Sequence, residues 1–262
     1  MKKTCILMAM LAVLALSAVS TAQAATIAWG TAQKIENIYE SSTPELEVSL
    51  EGDLVRAVAC GTATGSVTVN TVAFEYALTT GVDAYNNGNG YDPHYKGWTS
   101  GVDTFYSDVE SEWGIGQNGP NTYNQWGACA DPAYTVLLGG GMQASDNTVP
   151  LTLTLGNLTP GQGYLVQLWC NDSRFGSPSL QTVDGGPTMS TCEDPWVSGL
   201  GQYLIGRFTA DGTGSQTISI LGGSQLINGY QLREIEAEAA VPEPAGLGLI
   251  GVALLALRKR RS

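Results

Sequence analysis

The 262-residue sequence has little charge, and positive charge is especially scarce. Charged residues make up 14%, with 12 Lys and Arg against 24 Asp and Glu. Nucleic-acid binding needs clustered basic side chains on a surface, so the composition excludes a nucleic-acid partner. The sequence has one histidine, His94, and no Cys-x-x-Cys pair. This shortage argues against zinc binding and against a serine-histidine-aspartate device.

The sequence is rich in glycine, with 33 residues, and in short segments of strand-like pattern. Leu151 to Leu155 alternates apolar and polar residues, as a strand with one wet face does. Tyr164 to Cys170 is apolar in both phases, which is typical of a central strand covered on two sides. The turn at Thr159-Pro160-Gly161 predicts a hairpin between these two strands. Further strands are expected over 54–60, 66–74 (with a bulge or turn at 70–71), 203–208, 216–221 and 226–235. The fold class predicted is all-β, a β-sandwich or jelly roll.

The N-terminus has the order of a secretory signal peptide. Two lysines precede an apolar run over 6–18, and Ala22 and Ala24 form the small-x-small pattern that a signal peptidase reads. We therefore expect residues 1–24 to be removed by signal peptidase and the exported domain to cover 25–240.

The C-terminus combines a proline-rich motif, one apolar run and a basic end. Thirteen apolar residues over 245–257 would form a helix of about 20 Å, short of the roughly 30 Å hydrocarbon core. Basic residues behind such a run favour the cytoplasmic side of a membrane. The motif is Pro242, Glu243 and Pro244, and the basic end is Arg258, Lys259, Arg260 and Arg261.

This tail, over 241–262, resembles the PEP-CTERM sorting signal of exported proteins in Gram-negative bacteria. The resemblance implies a single C-terminal sorting helix, cleavage near the motif by an exosortase-type membrane enzyme, and a final place at the cell surface or in the extracellular matrix. The protein would be held in the inner membrane only transiently. A permanent tail anchor is the alternative interpretation.

The segment 81–133 is rich in Asn, Gly, Asp and aromatic residues and has little strand alternation beyond 104–106, so it predicts a long aromatic loop region. Aromatic rings stack on the apolar faces of sugars, and polar residues directly after a central strand are placed to assist binding. The alternative is that these aromatics only plug the core beneath the loop. The candidates for carbohydrate binding are Trp98, Trp113, Tyr123, Trp126, Asn171, Asp172 and Arg174.

An oxygen-rich stretch in the same loop suggests calcium, because several hard oxygen ligands on a flexible loop suit that ion. Its spacing is not that of an EF-hand, and a series of turns stabilised by Asn and Asp side chains explains the same residues. Both interpretations stay open. The candidate ligands are Asp83, Asn87, Asn89 and Asp92.

Four cysteines remain after removal of the signal peptide, namely Cys60, Cys129, Cys170 and Cys192. In an oxidising compartment they are expected to form two disulfides, for which three connectivities are possible; the pairing Cys170–Cys192 with Cys60–Cys129 is preferred because it closes the shorter loops.

The strand pattern over 164–174, 183–186, 201–211 and 228–233 is similar to that of galactose-binding-like jelly rolls, which supports the fold more than any ligand. The function predicted is a noncatalytic surface or matrix-associated protein, with extracellular polysaccharide as the candidate partner. A secreted carbohydrate-active hydrolase or lyase is the alternative, using paired carboxylates such as Glu110 with Glu112 or Asp172 with Asp184.

Overall fold

The computed structural model describes residues 25–36, 47–61, 63–76, 78–85, 94–107, 115–118, 123, 129–144, 148–174, 178–193 and 199–237. The predicted signal peptide, its cleavage residues Ala22 and Ala24, and the whole sorting tail lie outside these residues.

The described chain is predominantly β-structure in two sheets. Sheet A has eight strands in the order β1-β15-β12-β18-β3-β5-β4, with β2 also paired to β15. Its strands are β1 Ala28–Trp29, β2 Gln33–Lys34, β3 Asp53–Ala59, β4 Ser66–Val69, β5 Val72–Glu75, β12 Gly163–Cys170, β15 Gln202–Thr209 and β18 Gly229–Ile235.

Sheet B has ten strands in the order β14-β13-β16-β11-β8-β7-β9-β10-β17, with β6 paired to β7. Its strands are β6 Leu78–Tyr85, β7 His94–Ser100, β8 Asp103–Tyr106, β9 Ile115–Asn118, β10 Gly141–Ala144, β11 Leu151–Leu155, β13 Leu180–Val183, β14 Thr188–Ser190, β16 Gln216–Leu221 and β17 Leu226–Ile227.

The main core lies between the two sheets. Alternate residues of β12, such as Val166 and Leu168, meet Leu153 of β11 and Ile218 of β16 in one buried cluster. The observed alternation of burial along β11 is the predicted one. The complete burial of β12 also confirms its prediction as a central strand, since it pairs with β15 on one side and β18 on the other.

A second apolar cluster covers the outer face of sheet A. The helix α1, Pro132–Gly139, places Leu137 and Leu138 there against Trp169, whose indole N–H donates to the hydroxyl of Tyr134 at 3.0 Å. Asp131 caps the helix by accepting from the N–H of Ala133 at 2.7 Å. The outer face of sheet A is thus apolar where α1 packs against it.

The rest of this outer face is polar and holds the segment 47–52. Gln167 donates to the carbonyl of Glu47 and accepts from the N–H of Ser49, and Gln231 donates to both Gln167 and the carbonyl of Ser49. These buried amides tie an irregular segment to the two central strands, which satisfies its backbone groups away from water.

Two sequence predictions about the fold were wrong. The segment from β11 to β12 is not a hairpin, because β11 pairs with β8 and β16 in sheet B whereas β12 lies in sheet A. A turn motif cannot tell whether the chain returns beside the same strand or crosses to the facing sheet. The segment 81–133 is not one long loop, since it contains parts of β6 and all of β7, β8 and β9.

Both ends of the described chain leave sheet A at the same end. Ala28 pairs with Arg207 in an antiparallel ladder, so Ala25 lies near Asp211. The N–H of Ala25 is hydrogen-bonded to the Asp211 carboxylate. Gly163 pairs with Thr209 on one side and with Ile235, near the last described residue, on the other. We call this the proximal end. The opposite end, where β3, β12 and β18 meet at Cys60, Cys170 and Asn228, is the distal end.

Candidate functional site

The structure brings together four of the residues predicted to bind a ligand, at the distal end. Arg174 donates to both carboxylate oxygens of Asp172, at 2.8 and 2.7 Å, and its guanidinium lies 4.3 Å from the centre of the Tyr123 ring. Burial lowers the pKa of Arg174, but the hydrogen bonds to Asp172, the Asp172 charge and the effect of Tyr123 together outweigh burial, and the net pKa is raised. The guanidinium is therefore a fixed positive charge.

Two buried asparagines join these residues to the end of α1. Asn228 donates to the carbonyls of Leu138 and Gly140, both at 2.8 Å, and accepts from the N–H of Asn171 at 2.5 Å. Asn171 donates to the carbonyls of Leu138 and Tyr123. We call Asn171, Asp172, Arg174, Tyr123 and Asn228 the distal cluster. Its members satisfy one another and the last carbonyls of the helix, which is a structural task.

The predicted aromatic platform does not stand open in this cluster. Tyr123 is fully buried, and Arg174 covers one face of its ring. Trp98 is partly buried and packs against the core between the sheets. Trp113 and Trp126 lie outside the described residues, so for them the platform stays a prediction.

The calcium prediction falls mostly outside the described residues. Asp83 lies in β6, whereas Asn87, Asn89 and Asp92 are not described. Across the described ranges, no group of three or more His, Cys, Asp or Glu residues is arranged to hold a metal ion.

The structure contains neither expected disulfide: Cys60, Cys129 and Cys170 are buried free thiols, and Cys192 is buried as well. Cys60 faces the core between the sheets, while Cys129 lies in the cluster on the outer face of sheet A. Cys192 is 3.2 Å from the carbonyl of Gly199. Burial raises the pKa of the Cys60, Cys129 and Cys170 thiols, which makes them poor nucleophiles.

Asp103 forms a buried ionic network that joins the two sheets. Its carboxylate accepts from Arg56 at 2.5 and 2.6 Å, from the Tyr230 hydroxyl at 2.5 Å and from the N–H of Gly156 at 2.8 Å. Burial, and then the nearby Asp103 charge, raise the pKa of Tyr230 well above its usual value. Sequence reasoning missed this network, because Asp103 in β8 has no nearby motif.

Asp172 and Asp184, one of the carboxylate pairs named for the enzyme alternative, are each hydrogen-bonded to other residues. Asp172 is bound by Arg174, whereas Asp184 accepts from the indole N–H of Trp29 and the N–H of Ser219. Glu110 and Glu112 lie outside the described residues.

A cavity of about 460 Å³ opens at the edge of the sandwich, between β1 and sheet B. Its size is in the range of small-molecule sites, about 300 to 1,000 Å³. Trp29 is partly buried in one wall, and the turn between β13 and β14 contributes Asp184. We call it the Trp29 cavity. Its lining residues are Ala25, Thr26, Ile27, Trp29, Asp184, Gly186, Pro187, Gln216 and Thr217.

Local sequence explains both walls of the Trp29 cavity. Asp184 and Gly185 have φ of 51° and 65°, which an Asp-Gly pair accepts in a tight hairpin turn. Gly206 of β15 lies beside Trp29, and a Cβ there would be 2.5 Å from an indole carbon. Because Gly206 has no side chain, the indole can lie over the strand. The Asp-Gly pair was a visible signal, but Trp29 lies in a two-residue strand with no pattern to identify it.

Across the described ranges, none of the helical segments has the length and apolar character needed to cross a bilayer.

Comparison with known protein families, with curated proteins and with solved structures returned no match.

Proposed function

We propose that this protein is an exported, noncatalytic surface or matrix module that is sorted by its C-terminal tail and binds extracellular carbohydrate through its β-sandwich. The single observation that carries the sorting part is that both ends of the described chain leave sheet A at its proximal end. Ala25, next to the predicted cleavage site, and Ala237, five residues before Pro242, lie on the same side of the fold.

This geometry suits a protein that is threaded through a membrane and then held at its tail. From β1 to β18 there are three strand spacings, which place the two ends about 14 Å apart. While the tail is in the membrane, the proximal end faces the bilayer and the distal cluster points away from it. Residues 25–240 have a net charge of −17, from six basic and 23 acidic residues. This charge favours solubility and repels the domain from anionic lipid.

The jelly-roll interpretation belongs to the same proposal. Three of the segments that resemble galactose-binding-like domains fall on β12, β15 and β18, which are neighbours in sheet A. This adjacency supports the resemblance, and the two-sheet core is in keeping with it.

The test is the identity of both ends of the mature protein in its native host. Mass spectrometry of the surface fraction should find Ala25 as the first residue and a last residue near the Pro242-Glu243-Pro244 motif. Replacing all three motif residues by alanine should leave the tail uncut, whereas Glu236→Gln, a matched loss of one carboxylate before the motif, should be processed normally.

Neutralising Arg258 to Arg261 should weaken retention during export. Recovery of surface protein still ending at Ser262, in a host that possesses an exosortase, would refute processing and favour a permanent tail anchor.

A further inference from the structure

We propose that the Trp29 cavity is the carbohydrate site of the protein, with neutral sugar as its ligand: the Trp29 ring stacks on a sugar face while Asp184 and Gln216 accept hydrogen bonds from sugar hydroxyls. This assignment rests on the proposal that the exported core binds carbohydrate.

The first observation is a buried polar atom that has no hydrogen-bond partner among the described residues. Gln216 lines the cavity and is 5% exposed, and its Nε2 donates to the carbonyl of Thr217 at 3.1 Å. Its Oε1 is fully buried and has no hydrogen-bond partner in the described structure. An unsatisfied buried acceptor costs free energy, and turning the amide of Gln216 toward the cavity that it lines would let a donor from a bound ligand satisfy this oxygen.

The second observation is a tryptophan held in place before any ligand arrives. The indole N–H of Trp29 donates to Oδ2 of Asp184 at 3.0 Å, and Gly206 leaves room for its ring. Asp184 is itself fixed, since its Oδ1 accepts from the N–H of Ser219 at 2.7 Å and its own N–H donates to the Ser219 carbonyl. A ring held in this way loses little conformational entropy on binding.

The lining chemistry selects the ligand. Asp184 is exposed and carboxylate oxygens keep lone pairs beyond those used here, so the cavity offers acceptors together with an aromatic surface. No basic side chain is among the lining residues that the structure describes. A ligand must therefore bring hydroxyl donors and an apolar face without a negative charge, which describes a neutral sugar and disfavours an acidic polysaccharide.

The experiment is affinity electrophoresis of the exported full-length protein in mild detergent. Native gels contain dextran, galactomannan or β-glucan as neutral probes and alginate as the acidic probe. Trp29→Ala should weaken binding at least tenfold, because it removes the stacking surface. Gln216→Ala should weaken binding roughly fivefold, because it removes one acceptor. The matched controls Tyr106→Ala and Gln33→Ala remove an exposed aromatic ring and an exposed amide away from the cavity and should bind as the original does.

Four outcomes decide the matter, once thermal melts show that each variant is folded. Retardation by a neutral probe that Trp29→Ala and Gln216→Ala reduce, and the controls do not, supports the assignment. Retardation that Trp29→Ala leaves unchanged overturns the site but keeps carbohydrate binding. Retardation by alginate alone overturns the neutral ligand. No retardation by any of the four polymers overturns both the site and carbohydrate binding by the core.

Discussion

The distal cluster and the Trp29 cavity use polar side chains in opposite ways. In the distal cluster, Asn228 places its amide on three backbone carbonyls and its oxygen on one N–H, all inside the protein. In the Trp29 cavity, Gln216 has a buried oxygen with no hydrogen-bond partner among the described residues, and Asp184 is exposed beside an aromatic ring. The comparison teaches that a group of polar and aromatic residues is a candidate site only when some of its bonding capacity is left over.

The prediction with the largest expected effect concerns Asp103, whose buried carboxylate accepts four hydrogen bonds. Asp103→Ala would strand the Arg56 charge and the Tyr230 hydroxyl between the sheets, so we expect a loss of about 3 to 5 kcal/mol in the free energy of unfolding. Urea unfolding followed by tryptophan fluorescence measures it. The double variant Arg56→Met with Asp103→Leu should recover much of the loss, because no unpaired charge remains. A loss below 1 kcal/mol for Asp103→Ala would mean that the network is not formed.

The next test removes the centre of the distal cluster. Asn228→Ala removes the amide that donates to the Gly140 carbonyl, one of two donors to the Leu138 carbonyl, and the acceptor of the Asn171 N–H, and should cost about 2 to 3 kcal/mol. Polysaccharide binding by the folded variant should not change. Gln33→Ala, which removes an exposed amide, serves as the control and should cost little. If Asn228→Ala abolished binding while remaining folded, the distal cluster would be the functional site after all.

A third test uses pH and concerns Glu47, on the polar outer face of sheet A. Burial raises its pKa, and its hydrogen bonds with the N–H of Glu36 and with Tyr134 offset that effect only in part. A raised pKa means that the folded state binds the proton more tightly. This stabilising contribution is present below the usual value of about 4.3 and is lost as pH rises through the raised pKa.

Glu47→Gln should therefore stabilise the protein at pH 7 by on the order of 1 kcal/mol, since it removes a buried charge, and the gain should vanish below about pH 4. Thermal melts of both proteins between pH 3.5 and 8 measure the difference. An equal gain at every pH would show that Glu47 does not titrate with an altered pKa.

The smallest effect on stability is expected in the Trp29 cavity. Asp184→Asn keeps the turn, because Asn also tolerates positive φ, and it changes an exposed side chain, so the cost should be about 0.5 kcal/mol or less. Neutral-polysaccharide binding should nevertheless weaken, because an amide oxygen is a poorer acceptor than a carboxylate. A large loss of stability would make Asp184 a structural residue like those of the distal cluster.

The strands that were predictable from sequence are those whose own pattern reports their burial. Leu151 to Leu155 alternates and is half-buried, and the phase change at Asn70-Thr71 is a turn in which both residues have positive φ. The strand expected over 226–235 is instead β17 and β18, split at Asn228, where the chain passes from sheet B to sheet A. β6, β7 and β9 were missed, because they pair with one another and with β8 and β10. That pairing is a property of the tertiary fold.

The candidate site was predictable only in part. Asn171, Asp172 and Arg174 were identified because polar residues follow a central strand, and they do meet Tyr123. The sequence pattern could not show that these side chains use their hydrogen-bonding groups on one another. The Trp29 cavity was missed because its walls come from residues 29, 184 and 216, which only the folding of the two sheets brings together.

The place of β18 has a mechanical consequence. It is the last strand of the described chain, yet it lies in the middle of sheet A, with long ladders to β12 on one side and β3 on the other. If the tail is held in a membrane, as proposed, a pull on it runs along this strand. Both ladders would then carry the load in shear, with all their hydrogen bonds strained together, so the domain would resist unfolding from its C-terminal end.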